Sequence, residues 1–418
     1  MTTTSPGTGL SAPGAAAHFP AGTMEPAYVL TEALGTDPAS VFAGISDEDR
    51  SYWDRARRFV QDEVLPVIDG YWERADYPVH LLRRLGELDL LRDGVPVDGF
   101  APMSRMAAGL VNMEISRGDG SVATMIAVQG GLALRSIAEC GSAAQQEQWL
   151  PAVAAGKEFA AFALTEPTHG SDSVALESTA TGTDGGFLLN GEKKWIGNGS
   201  VGGVSVVWAR GEDGQVHGYL VPQDSPGYAA TKIEGKLALR AIWQAHIRLE
   251  NVFVPQHNVL PGARSFKDTA RVLLATRLGV AWSAVGHATA CYETAVQYAK
   301  QRQQFGRPLA ASQIVQERLA RMLSELATMQ LMVVQMTRLD EQGSLTPEQA
   351  SLAKYTCTRT AREIASNARD LLGGNGILLA NRVARHLADI EAIHTYEGTE
   401  TMQALIIGRG ITGTSAFA

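Results

Sequence analysis

The chain has 418 residues, 45% apolar and 19% charged, with a formal net charge of −8. That length exceeds one ordinary core and predicts two or three domains of a soluble globular protein. The acidic balance excludes non-specific attraction to nucleic acid or anionic membrane, and no apolar run is expected to reach the length of a membrane span.

Residues 1–25, rich in Gly, Ala, Pro, Ser and Thr, cannot bury enough surface to order themselves, and a disordered tail is expected over 1–40. The first Lys or Arg is Arg50, which argues against a secretory n-region or an arginine-rich transit peptide, and the ending TSAFA is not a peroxisomal tail. Cys140, Cys291 and Cys357 are few, odd in number and scattered, as expected of reduced thiols in a cytoplasm.

From Ser46 the period turns helical. SDEDRSYWDRARRFVQDEVLPV opens on a Ser-x-x-Asp start signal, and PVHLLRRLGEL, MAAGLVNMEIS and AAQQEQWLPAVAAG continue it. These predict a helical first domain over 41–157. Short runs punctuated by Gly, Asp, Asn and Pro follow, among them EFAAFALTEP, GGFLLNGEKKWIG, GVSVVWAR and IWQAHIRLENVFVP. They predict a meander of strands, as in a small β-barrel, over 158–262. Long helical segments return at 266–302, 312–343, 347–372 and about 399–410, predicting a C-terminal helical bundle over 263–418. The fold class expected is therefore α+β and multidomain, in the order α, β, α.

Several motifs fail on context. GRGITG at 408–413 matches a dinucleotide fingerprint, but it follows a helical segment and leaves only five residues after it, whereas the mechanism needs a strand before and a helix behind. The nine histidines show no metal-binding spacing, and there is no C-x-x-C pair, nucleophile elbow or phosphate loop. His169 and His394 are expected to pack or hydrogen-bond rather than transfer protons.

Five segments remain: FALTEPTHGSD (162–172), KKWIGNG (193–199), RQQFGRPLAASQ (302–313), LLGGNGI (371–377) and YEGT (396–399). In this order and spacing the chain resembles the acyl-CoA dehydrogenases over about residues 45–415. It is most similar to the glutaryl-CoA dehydrogenase branch and its related plant short-chain acyl-CoA oxidases. The resemblance implies a helical domain, a small β-barrel domain and a four-helix bundle, with FAD as cofactor. It implies dehydrogenation of an acyl-CoA to the trans-2-enoyl thioester, with hydride transfer to flavin N5.

By the same resemblance, Phe162, Leu164 and Thr165 belong to the strand that meets the flavin's pyrimidine edge. Trp195, Ile196 and Gly197 lie beside the ring, although Trp195 taken alone reads as well as a core residue. Thr399 contacts FAD, while Arg302, Gln313, Asp370, Gly373 and Gly374 reach the FAD of a neighbouring subunit, implying a homotetramer. A guanidinium suits a diphosphate through its paired donors; the glycines alone would read as a helix end. Ser171, Arg277 and Gly398 fall at substrate contacts. Glu397 aligns with the base that removes the α-proton. An ordinary glutamate, with a pKa of about 4.3, is too weak for that acid, so burial must raise it. In other branches the base lies near Thr276, which here is not acidic.

Two departures carry consequences. Ala123 and Ala127 stand where glutaryl-CoA dehydrogenases hold a distal carboxylate, so a dicarboxylate would be buried unpaired. Met125 and Ile126 predict instead an apolar acyl tail of short to medium length. Gly197 replaces the hydroxyl residue usual near flavin N5 and is expected to leave space there, as in the plant oxidases. Electrons would pass to an electron-transfer flavoprotein or, if the enzyme is an oxidase, to O2. The thioester could also be borne on a carrier protein in place of CoA. A non-catalytic protein that binds flavin or a partner through the same fold is opposed by the retained Glu397 and the negative charge.

Overall fold

The computed structural model describes residues 36–416. The low-complexity stretch 1–25, and most of the expected tail, lie outside the described residues. Of that tail's last five residues, 36–40, Thr36 and Asp37 are buried. The Asp37 carboxylate accepts from the backbone N–H groups of Val41 at 2.8 Å and Phe42 at 2.9 Å. This turn seats Phe42 in the core, 5.2 Å from the ring of Trp53.

Among the described residues, seven helices form the first domain: α1 (Asp47–Phe59), α2 (Ile68–Arg74), α3 (Val79–Glu87), α4 (Arg105–Gly118), α5 (Gly120–Ile126), α6 (Arg135–Cys140) and α7 (Ala143–Ala154). Ser46 caps α1 by accepting from the Asp49 N–H at 3.1 Å. Three acids in the first turn and two arginines in the last suit the helix dipole. A wider i→i+5 stretch, Ala127–Leu134, joins α5 to α6. Together they make a rod, Gly120–Cys140, that is long and apolar enough to cross a membrane, contrary to the expectation that no run reaches that length. It lies 78% buried inside the protein, as a core helix does. Enclosed on nearly every side, it shows no amphipathic period, which is why the sequence does not reveal it.

The middle strands are β1 (Ala160–Ala163), β2 (Thr179–Thr183), β3 (Gly186–Gly197), β4 (Val204–Gly211), β5 (Val216–Pro222), β6 (Tyr228–Lys232) and β7 (Gln244–Pro255). They form one seven-stranded sheet in the order β1-β4-β2-β3-β7-β6, with β5 also on β4. Strand alternation divides the apolar residues between two cores. Ala161, Ala163, Val207 and Ala209 enter the sheet's own core, whereas Phe162, Val206 and Trp208 pack with Ile137, Leu150 and Val153 of α6 and α7. Strand β6 alternates only between half-buried and exposed positions, which leaves it little sequence signal of its own.

The C-terminal helices are α8 (Phe266–Gln301), α9 (Gln313–Glu341), α10 (Pro347–Leu371), α11 (Val383–Thr395) and α12 (Glu400–Thr412). Reciprocal caps at Ser265/Asp268 and Thr346/Gln349 start α8 and α10. Helix α11 is an addition to the segments expected from periodicity. Its buried Arg385 pairs with Asp69 and Asp119 of the first domain, each at 2.6 Å. This pairing brings the turn that follows α11 against the first domain.

Candidate active site

Glu397 lies in the turn between α11 and α12, and its surroundings over-determine its position. Tyr396 ends α11, and the Thr399 hydroxyl caps α12 by accepting from the Met402 N–H at 3.3 Å. Between them the chain must reverse, with φ of +53° at Glu397 and +89° at Gly398. The left-handed conformation costs a non-glycine residue roughly 1–2 kcal/mol, offset here by hydrogen bonds to the carbonyls of Tyr396, Glu397 and Gly398. Buried Lys354 of α10 donates from Nζ to the carbonyls of Tyr396 and Gly398. Gln403 donates to the carbonyls of Glu397 at 3.2 Å and Gly398 at 2.9 Å. The N–H of Glu397, by contrast, has no acceptor among the described residues.

The carboxylate is held from the opposite helix. Thr276 of α8 donates to Glu397 Oε2 at 2.7 Å, a shorter contact than its 3.2 Å bond to the Leu273 carbonyl. Burial raises the pKa of Glu397 above its ordinary value; Thr276, Lys354 and Arg277 pull it down, and Asp93 pushes it up. Burial also lowers Lys354, and Glu397 opposes that shift. The Arg277 guanidinium donates to Ser351 at 3.0 Å and is lowered by burial. Thr276, at the position expected of the base in other branches, is thus a donor to Glu397.

Glu397 faces a small, partly open cavity between the first domain and the bundle. Ala123 and Ala127 line it, as expected, but Met125 and Ile126 do not; both are buried in the core of the first domain. The expectation that these two form the tail pocket is corrected: on a helix, neighbours point to different faces. Asp93 and Asn112 occupy the wall instead. No sequence motif announces either residue, since one is a loop Asp and the other a lone Asn within an apolar helix.

The segments 162–165 and 193–197 are joined as a unit. Lys193, fully buried, donates to Glu166 at 2.8 Å and to the Leu164 carbonyl at 3.2 Å, and the Lys194 N–H donates to the Thr165 carbonyl at 2.8 Å. Glu166 also accepts from the Glu177 and Ser178 N–H groups. Burial pushes Glu166 up, yet Lys193 and these donors together bring it down to about 2.

Phe162 and Leu164 turn their side chains into the core, Phe162 lying 5.8 Å from the Trp208 ring, so only their backbone is available to a ligand. Ile196 is buried, while Trp195, with φ of +67°, is 55% exposed. A plain core role for Trp195 is thereby excluded. The half-buried Thr165 hydroxyl has no partner among the described residues. An exposed indole beside an unpartnered hydroxyl and strand backbone fits the flat edge of an isoalloxazine ring.

Gly197 leaves no space. A Cβ there would stand 2.7 Å from Val128 Cγ2, because the wide stretch after α5 pushes Val128 onto β3. Gly197→Ser is therefore expected to cost about 1–3 kcal/mol through overpacking, read as a lower Tm, and Val128→Ala is expected to restore it.

Ser171 is exposed in the loop after β1. The remaining residues gather at the far end of the bundle: Arg302 caps α8, Gln313 begins α9, and Asp370 closes α10 with Gly373 and Gly374 behind it. Asp370 accepts from Arg318 at 2.7 Å. The Arg302 guanidinium has no partner among the described residues. Along α8, Thr276 and Arg302 are separated by roughly 39 Å at the rise of an α-helix, so the two clusters are not brought together within one chain.

Family models for the acyl-CoA dehydrogenase N-terminal, middle and C-terminal domains match residues 46–157, 161–252 and 266–412. The chain is 32% identical to the mitochondrial short-chain specific acyl-CoA dehydrogenase of Rattus norvegicus over 84% of this chain and 87% of that one. Among solved structures it is similar to a glutaryl-CoA dehydrogenase from Mycobacterium smegmatis, with TM-score 0.88, 40% identity, and coverage of 90% of this chain and 97% of that chain. A second glutaryl-CoA dehydrogenase from that organism, in complex with FADH2, has TM-score 0.89, 36% identity, and coverage of 91% and 100%.

Proposed function

The chain belongs to the acyl-CoA dehydrogenase family, and on that premise we propose that it converts a short- to medium-chain acyl-CoA to the trans-2-enoyl-CoA, with Glu397 as the α-proton base. The protein is a flavoprotein oxidoreductase whose cofactor is FAD. When bound, FAD supplies the acceptor for the β-hydride. The chain's own residues do the rest.

One observation carries the assignment: the carboxylate of Glu397 lines the cavity while its own N–H is left without an acceptor. An N–H without a protein partner must find its acceptor in water or in a ligand. Here it is a donor for the thioester carbonyl, where charge grows as the α-proton leaves, and one such donor is worth about 3–4 kcal/mol. Burial makes Glu397 a stronger base than a surface glutamate, and Thr276 aims the carboxylate. Thr165, Trp195, Ile196, Gly197 and Thr399, with the backbone of Phe162 and Leu164, would hold the cofactor on the same chain. Ser171, Arg277 and Gly398 would contact the substrate.

Ala123 and Ala127 offer no donor to a distal carboxylate, which opposes a dicarboxylyl substrate although glutaryl-CoA dehydrogenases are among the similar structures. Val128 filling the space at Gly197 supports electron delivery to an electron-transfer flavoprotein over direct reaction with O2. The separation of Thr276 from Arg302 exceeds the reach of one dinucleotide. It supports a site completed by Arg302, Gln313, Asp370, Gly373 and Gly374 of a second copy, within a homotetramer. Three buried free cysteines agree with a reducing, cytoplasmic location.

The test is anaerobic titration of the holoprotein with acyl-CoAs, followed by admission of air. Bleaching of the flavin by butyryl- to octanoyl-CoA and slow recolouring without peroxide is the expected result. Rapid recolouring with stoichiometric peroxide would establish the oxidase instead.

A further inference from the structure

We propose that the acyl cavity is built for an acyl group bearing a neutral hydroxyl on its γ or δ carbon, received by Asp93 and Asn112. The inference rests on the proposed function, in which this cavity takes the acyl group, and it replaces the apolar tail with a polar one.

The wall is the first argument. Asp93, Asn112, Thr276 and Ser283 line the cavity alongside Glu397 and Tyr396. A plain alkyl chain would displace water from these groups and give nothing back, leaving polar groups desolvated. The Ser283 hydroxyl is already bonded to Ser116 at 2.7 Å, and Thr276 is committed to Glu397. Asp93 is not saturated. Its Oδ1 accepts from Asn112 Nδ2 at 2.7 Å, and its Oδ2 stands 3.5 Å from Arg135, beyond a good hydrogen bond. An ionised carboxylate offers about four acceptor sites, so a ligand donor finds an acceptor waiting.

Charge selects a neutral donor. Buried Arg135 does not line the cavity; it approaches Asp93, donating also to the Asp93 carbonyl at 2.8 Å. Asp93 is therefore already balanced, and an ammonium group would lose its hydration without meeting an uncompensated charge. A distal carboxylate would face the Asp93 carboxylate directly.

Space and position select the γ or δ carbon. A Cβ at Gly131 would lie 3.0 Å from Asp93 Oδ2 and 3.2 Å from Thr276 Cγ2, and one at Gly279 would lie 3.5 Å from Asn112 Nδ2. A side chain at Gly131 would crowd the Asp93 carboxylate, so the missing Cβ keeps Oδ2 uncovered. The shared Gly131 neighbourhood sets Asp93 close to the threonine that holds the base, so the recognised group belongs just beyond the reacting carbons. Asp93 itself has φ of +51°, a conformation that Asp and Asn tolerate better than other side chains.

The test uses two readouts. Glu397→Gln holoenzyme, which binds without turnover, is titrated calorimetrically with valeryl-CoA, its γ- and δ-hydroxy forms, δ-aminovaleryl-CoA and glutaryl-CoA. One hydroxy form is expected to bind about tenfold more tightly than valeryl-CoA, as a hydrogen bond to a charged group allows, and more tightly than the amine or the diacid. Asp93→Asn, which keeps the left-handed turn, and Asn112→Ala, which leaves the Asp93–Arg135 pair in place, are each expected to shrink that preference several-fold. Tighter binding of valeryl-CoA, of the amine or of the diacid would overturn the proposal, as would a hydroxyl preference unchanged in both variants. Flavin bleaching in the unsubstituted holoenzyme separates the two levels. Bleaching by valeryl-CoA with no hydroxyl preference removes this inference alone. No bleaching by any of the esters removes the parent reading and this inference with it.

Discussion

Glu397→Gln is expected to slow flavin bleaching by acyl-CoA about 10²–10⁴-fold, the range a positioned general base contributes, while the bound flavin keeps its colour. Glutamine preserves the shape and can still accept from Thr276, now at 2.7 Å from Oε2, but it cannot take a proton. The variant is expected to fold at least as well as the parent, because a buried charge is removed from a site where burial already disfavours it. Rapid-mixing absorbance under anaerobic conditions reads the rate, and thermal unfolding checks the fold. Undiminished bleaching would remove Glu397 from the mechanism and leave Asp93, the other carboxylate on the cavity wall, as the group to replace next.

Lys354→Met is expected to lower kcat/KM at neutral pH by about tenfold or more, and to shift its acidic limb to higher pH. Lys354 holds the carbonyls on both sides of Glu397 and is one of the charges pulling the Glu397 pKa down. The base works only when ionised, so activity is lost as pH falls through its pKa. That pKa lies above the ordinary glutamate value because of burial, and loss of a nearby cation raises it again. Two charge-assisted hydrogen bonds also disappear, at about 1.5–3 kcal/mol each, so Tm is expected to fall. A purely structural lysine would lower Tm without moving the limb; that outcome would separate Lys354 from the chemistry.

Much of the fold is legible in the sequence because its elements carry their own signals. Three long helices of the bundle have reciprocal or hydroxyl starts and sustained periods, and the strands alternate between two cores. The elements that escape share a physical cause. The rod Gly120–Cys140 is enclosed nearly all round and shows no stripe, β6 is a half-exposed edge, and α11 is buried between domains with charged residues inside it. Arg385 and Asp119 of that interface are both fully enclosed, and no local pattern marks a charge that will be buried by a partner 266 residues away.

The site divides in the same way. By itself the sequence determined which residue types stand in the motifs: a glutamate before a glycine between two helices, a tryptophan ending a strand, and an arginine at the end of a long helix. It also determined Ala123 and Ala127, two side chains on the cavity wall without a donor. Only the tertiary structure decided what those residues meet. Thr276 reaches Glu397 across 121 residues, Lys354 pins the turn from a third helix, Val128 occupies the room that Gly197 was expected to leave, and Asp93 with Asn112 gives the cavity a polar wall. Helical and strand periods are set by neighbours a few residues apart, which a sequence displays. The pKa of a base, the space beside a glycine and the polarity of a cavity are set by groups distant along the chain, which come together only when the three domains pack.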